Sequence, residues 1–198
     1  MKKPSLSRRE RTRFLEAAEQ LHKNDEGYKK AENISFFIYV MLVVVFALSL
    51  RLFIFEPIRV DGSSMINTLL DGEQMFVEKV NYWFNPPKRG EIVIVFYPDH
   101  TVSCVKRVIG LPGETVAVKD GAVYVNGEAL DESAYWNDYI YGDMAPFTVP
   151  EKSIFVMGDN RNDSLDSRDL LGVGPIPYYR IVGRAIAVVW PFSAYRVL

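Results

Sequence analysis

The sequence predicts a mainly β protein: an antiparallel β-sheet domain outside the membrane, preceded by one transmembrane α-helix. Three observations carry that prediction. The run from Ile34 to Leu50 contains no charged residue. Beyond it, short runs rich in Val and Ile recur between Gly, Pro and Asn punctuation, as in Ile92–Tyr97 and Ser153–Met157. Lys119-Asp120-Gly121 and Asn126-Gly127 are strong hairpin signals.

Composition sets the outer bounds. A chain of 198 residues has room for one main domain and an appendage. Apolar residues make up 48% of it, enough for a sizeable core. The net charge of −2 lacks the basic footprint of a nucleic-acid binder. The one cysteine, Cys104, rules out an intrachain disulfide and a multi-cysteine zinc site. No metal or cofactor motif is present.

Residues 1–33 read as a cytoplasmic basic tail. Nine Lys/Arg (2, 3, 8, 9, 11, 13, 23, 29, 30) face six Asp/Glu. Phe14, Leu15, Ala18 and Leu21 recur at helical spacing, which predicts a short amphipathic helix over 7–22. Asn24-Asp25-Glu26-Gly27 should interrupt it. The apolar stripe is narrow, which favours a solvated tail over a helix lying on lipid.

Residues 34–55 read as the transmembrane anchor. Arg51 interrupts the apolar run, but a snorkelling arginine still leaves a span of about 20 residues. The nine upstream cations outnumber Arg51 and Arg59, which places the N-terminus in the cytoplasm and residues 56–198 outside. Ala47-Leu48-Ser49 has the small-residue spacing of a signal-peptide cleavage site. Leu50 and Leu52–Phe55 keep the segment apolar beyond it, so an uncleaved anchor is expected.

In the outer domain, Gln74–Val80, Ile92–Tyr97, the stretch around Lys106, Ser153–Met157 and Arg180–Trp190 read as strands. Tyr82-Trp83-Phe84-Asn85-Pro86-Pro87 reads as an aromatic loop, with Trp83 and Phe84 either in the core or at the lipid interface. Trp190-Pro191-Phe192 has the same ambiguity. Residues 114–150 read as a small insertion: a hairpin over Val116–Leu130, then a long irregular connection.

Three places hold chemistry. Apolar, extended residues lead into Val60-Asp61-Gly62-Ser63-Ser64-Met65, a turn able to expose a nucleophilic hydroxyl; taken alone it reads as a plain Gly-Ser turn, and Lys106 and the Gly158–Arg168 segment reverse that reading. Lys106 sits among Val105, Val108 and Ile109. Burial there would disfavour its ammonium form, with Arg107 pushing the same way, and would make it a general base. Gly158-Asp159-Asn160-Arg161 through Asp166-Ser167-Arg168 follows an apolar strand with three carboxylates and two arginines in close sequence. That composition suggests an ion-pair scaffold holding a neighbouring site rigid. A calcium loop is the rival, but the EF-hand spacing and terminal Glu are missing. Serine hydrolases more often use histidine. Here His22 lies in the tail and His100 in a polar loop, so a Ser–Lys pair is the stronger reading.

These blocks, in this order, resemble the bacterial type I signal peptidases, especially the short Gram-positive-type forms with one anchor. The resemblance covers the anchor, Gly62-Ser63-Ser64-Met65 with Thr68-Leu69, Arg89-Gly90-Glu91-Ile92-Val93, Lys106-Arg107-Val108-Ile109-Gly110-Leu111-Pro112-Gly113, and the Gly158–Arg168 segment. It implies a membrane-anchored serine/lysine endopeptidase that removes signal peptides from exported preproteins after Ala-x-Ala. Ser64 matches the nucleophile and Lys106 the base. Ser164 matches a serine that orients the lysine, and Asp159, Arg107, Asp166 and Arg168 match supporting residues. The Ser64 N–H would donate to the oxyanion; Gly62 stands where some relatives add a serine hydroxyl. Val60, Met65, Leu69 and Val105 are expected to line shallow apolar substrate pockets. Asn67 departs from the family, which usually has proline there. Two other readings stay open: a self-cleaving repressor of related fold, and a non-catalytic signal-peptidase-like binding protein.

Overall fold

The computed structural model describes residues 7–51, 55–98 and 101–198. Leu52, Phe53, Ile54 and His100, all used in the sequence reading, lie outside the described residues. The chain divides into two compact units, 1–50 and 51–198.

The first unit is one α-helix, α1 (Arg8–Ser49), and not the two predicted segments. Ser7 caps it reciprocally with Glu10, so the start is fixed by a capping box. The expected break at Asn24–Gly27 does not occur. Ion pairs one helical turn apart, Lys23–Glu19 at 3.0 Å and Lys29–Asp25 at 2.8 Å, flank that stretch. Each such pair contributes about 0.2–0.5 kcal/mol, which offsets part of the ~1 kcal/mol cost of an interior glycine. The C-terminal part of α1 is apolar and long enough to cross a bilayer. It ends at Ser49, and Phe55, assigned above to the anchor, opens the first strand instead.

The second unit is mainly antiparallel β. Strands β1 (Phe55–Arg59) and β2 (Gln74–Glu78) pair, and the chain between them makes the Ser64 turn. A short helix, α2 (Asn81–Phe84), replaces the predicted aromatic loop. β3 (Ile92–Phe96) and β4 (Ser103–Gly110) follow. Then come β5 (Thr115–Lys119), β6 (Ala122–Val125), β7 (Glu128–Ala129) and β8 (Met144–Thr148). Last are β9 (Ser153–Met157), β10 (Ile176–Pro177), β11 (Ile181–Trp190) and β12 (Arg196–Val197). The larger sheet runs β1-β2-β11-β3-β4-β9-β10, with β12 on β11; the smaller runs β7-β6-β5-β8. The predicted hairpin is therefore half of a four-stranded sheet. β8 lies in the stretch expected to be irregular, its pattern hidden by Pro146 and by largely exposed side chains.

The fully apolar strands are those buried on both faces. In β3, Ile92 and Ile94 join the core with Val60, Met65, Leu69 and Met75, while Val93 and Val95 join one with Val108, Ile154 and Val156. In β9, Ile154 and Val156 face that second core. Phe155 and Met157 face a third, shared with Val116, Val118, Val123 and Val125 of the smaller sheet. β9 is thus the hinge of the packing, and the polar loop it delivers starts from a rigid base.

Candidate active site

The Ser64 turn is anchored at both ends. Val60 N–H donates to the Glu73 carbonyl and Gly72 N–H to the Val60 carbonyl, closing the excursion. Gly62 has φ +99°, which glycine adopts at no steric cost, and its N–H is taken by Asp71 Oδ1 at 2.8 Å. After Ser64, N–H groups of Thr68 and Leu69 both donate to the Met65 carbonyl. Met65 and Leu69 are buried in the core beneath. Ser64 itself stays half-buried at the rim.

Lys106 comes from β4, directly opposite Val93 of β3. It is only 3% exposed. Its Nζ donates to Ser64 Oγ at 2.7 Å and to the Val105 carbonyl at 3.0 Å. Both acceptors are uncharged. Burial pushes the Lys106 ammonium below the ordinary lysine value; Cys104, Asp166 and Asp159 oppose this and Arg168 adds to it. The assisting cation is therefore Arg168 and not the expected Arg107. Strand alternation sends Arg107 elsewhere, to Asp159 and the Gly90 carbonyl.

The Gly158–Arg168 segment is the predicted scaffold. Arg107 donates to Asp159 through Nε at 2.8 Å and Nη2 at 2.6 Å, and Thr68 Oγ1 donates to the same carboxylate at 2.5 Å. Asp166 accepts from Arg168 through both oxygens and from Gly158 N–H at 3.0 Å. Asn160 N–H donates to the Ser64 carbonyl at 3.0 Å, and its side chain to the Ser63 carbonyl. Ser63 Oγ donates to Asp163. All three carboxylates are thus engaged in the hydrogen-bond network of this segment.

Two expectations need correction. Ser164 does not hydrogen-bond Lys106: its Oγ is buried without a partner among the described residues. The side chain is instead packed against Gly158, where a β-carbon would lie 2.3 Å from Ser164 Oγ and 2.5 Å from the Ser64 carbonyl oxygen. Leu69 does not line the substrate cleft; it is wholly buried in the core because Met65 and Leu69 share the inward face of their turn. The cleft, of about 400 Å³, does include Val60, Gly62, Ser64, Met65, Val105 and Lys106. Sequence reasoning missed Glu132 and Tyr135, which lie in the stretch read as a long irregular connection. Tyr135 places its ring 4.0 Å from the Arg107 guanidinium. Nothing in their local pattern marks them.

Asn67 has φ +91°, in the left-handed region. Proline, fixed near −65°, cannot adopt it. The turn is held in part by Asn67 Nδ2 donating to the Tyr135 carbonyl at 3.4 Å.

Trp83, Phe84, Trp190 and Phe192 are all exposed, which removes the core reading for them. Trp190 and Phe192 meet edge to face with centroids 4.9 Å apart.

A family model described as signal peptidase, peptidase S26, matches residues 33–190. The chain is 42% identical over 166 residues to a signal peptidase I of Bacillus licheniformis, covering 79% of this chain and 88% of the relative. It is equally similar to signal peptidase I T of Bacillus subtilis strain 168, covering 79% and 85%. A signal peptidase I of Leptolyngbya laminosa is 43% identical over 163 residues, 77% of each chain.

Proposed function

The chain belongs to the signal peptidase family, peptidase S26, and on that premise we propose that it is a membrane-anchored serine endopeptidase that removes signal peptides from exported preproteins by Ser64–Lys106 catalysis. The observation that carries this is the 2.7 Å contact between Ser64 Oγ and a Lys106 that is almost wholly buried and has no charged hydrogen-bond partner among the described residues. A lysine in that setting can be neutral near working pH.

The neutral Nζ accepts the Ser64 proton as Oγ attacks the scissile carbonyl. The oxyanion forms beside the Ser64 N–H, and the Gly62 N–H, engaged by Asp71, is not a second donor. The Lys106 ammonium then gives its proton to the departing amine. Water, deprotonated by the same nitrogen, cleaves the acyl-Ser64 ester and restores the serine.

The sheet supplies a seat for the substrate. Among the described residues, β1 pairs only with β2, and Ser103–Val105 of β4 pair with β3 while β9 joins β4 only from Arg107. Both edges border the cleft, so an extended peptide adds as a strand between them. Ile58, Val60, Met65 and Val105 leave shallow apolar room there, suited to the small residues of Ala-x-Ala. The apolar part of α1 spans the bilayer with the basic tail in the cytoplasm and the β domain outside. Trp83, Phe84, Trp190 and Phe192 suit the membrane–water interface.

The test is cleavage of a preprotein bearing an Ala-x-Ala site by the detergent-solubilised full chain. Cutting after the second Ala, abolished by Ser64→Ala and by Lys106→Met, is the expected result. Wild-type protein that is folded but inert would instead revive the binding-protein reading.

A further inference from the structure

The segment 131–136 crosses from the smaller sheet to the back of the site. Tyr135 there lies between two arginines: the Arg107 guanidinium is 4.0 Å from its ring centroid and the Arg161 guanidinium 5.5 Å. Arg107 is bound to Asp159 and donates at 3.2 Å to Thr68 Oγ1, four residues past the nucleophile. Arg161, 1% exposed, donates through Nε to the Gly158 carbonyl at 3.0 Å, and Gly158 abuts the Ser64 carbonyl. Glu132, itself 7% exposed, closes the group: it pairs with Arg161 and accepts from the Tyr135 hydroxyl at 3.1 Å. Arg161 Nη2 is buried with no hydrogen-bond acceptor among the described residues. The negative face of the neighbouring ring is the compensation it has. Burial and Glu132 push the Tyr135 phenol up to about 12, so the ring is neutral at working pH and acts through its π face, not as an acid.

We infer that Tyr135 is a positioning residue for the reaction. Its ring clamps Arg107 and Arg161 and so sets the spacing between the Ser64 turn, held through Thr68, and the Gly158 wall on which Ser64 rests. This rests on the peptidase reading, and it gives the insertion a part in catalysis without any contact with substrate.

Ring electronics separate this role from bulk. Tyr135→Phe keeps the ring and loses only the hydroxyl. The same position carrying 3,4,5-trifluorophenylalanine keeps the shape but drains the π face. In the detergent-solubilised full chain, kcat is expected to fall about two- to tenfold from Phe to trifluorophenylalanine, with KM and Tm unchanged. Amide hydrogen exchange over residues 62–69 should quicken in the same comparison, while β11 stays as it was. Equal kcat and equal exchange in the two variants would overturn the inference, as would a loss tracked by Tm. If the wild type cuts no preprotein, the peptidase reading fails on its own, and the exchange measurement alone decides the clamp.

Discussion

Lys106 and Arg107 are adjacent cations on one strand, and the molecule treats them in opposite ways. Arg107, with its side chain 11% exposed, meets a carboxylate in a two-pronged bond and carries a ring on its other face. Lys106 is buried with only a hydroxyl and a carbonyl as acceptors. A paired buried charge is a strut, because neither partner can leave without stranding the other. An unpaired buried amine is under pressure to lose its proton, which is what a base requires. Alternation along β4 separates the two outcomes by one residue.

The largest effect should come from the Lys106 side. Ser64→Ala and Lys106→Met should each lower kcat/KM by roughly a thousandfold or more, and the double variant by no more than either alone. In the wild type, kcat/KM should rise with pH as Lys106 deprotonates, with a midpoint below the ordinary lysine value. A midpoint at or above that value would move the base elsewhere.

Next in size is Gly158→Ala. The new β-carbon would meet the Ser64 carbonyl oxygen and the Ser164 hydroxyl inside van der Waals contact. Displacing Ser64 by a fraction of an ångström should cost roughly a hundredfold in kcat, read at unchanged Lys106 titration.

Stability should then split the adjacent cations. Arg107→Met leaves Asp159 buried and unpaired and should cost about 3–5 kcal/mol in denaturant unfolding. Lys106→Met should cost little or raise Tm near neutral pH. The sign follows from linkage: the native state holds the Lys106 proton less tightly than the unfolded chain, so the unfolded chain binds more protons. Wild-type stability therefore rises with pH from the folded pKa to the ordinary lysine value, and methionine removes that slope. Equal destabilisation by both changes would erase the contrast drawn above.

The smallest effect is the most particular to this chain. Asn67→Pro restores the family's usual residue but demands a φ that this turn does not have. It should cost roughly 1–3 kcal/mol of strain and lower kcat, whereas Asn67→Gly should be tolerated. A proline variant as active as wild type would mean that the turn readily adopts the other backbone.

Much of this was legible in the chain. β3 and β9 announced themselves because strands covered on both faces carry apolar residues on both, and so read as continuous runs. The Ser64 turn, Lys106 and the Gly158–Arg168 loop stood out because nucleophile, base and scaffold depend on side-chain type within short windows. Where the reading missed, the cause was non-local. The break expected at Asn24–Gly27 was outweighed by the surrounding helix and its ion pairs. The strand at Met144–Thr148 was hidden by exposure and a proline. Leu69 looked available to substrate until its turn put it on the inward face.

The sequence by itself determined which residues could do the chemistry, since hydropathy, charge and turn preference act over a few neighbours. Only the tertiary structure decided their partners: Ser64 with Lys106, 42 residues apart, Thr68 with Asp159, 91 apart, and Tyr135 over Arg107. Those pairings depend on sheet order and on the face each strand presents. A side chain carries no local mark of what will be packed against it.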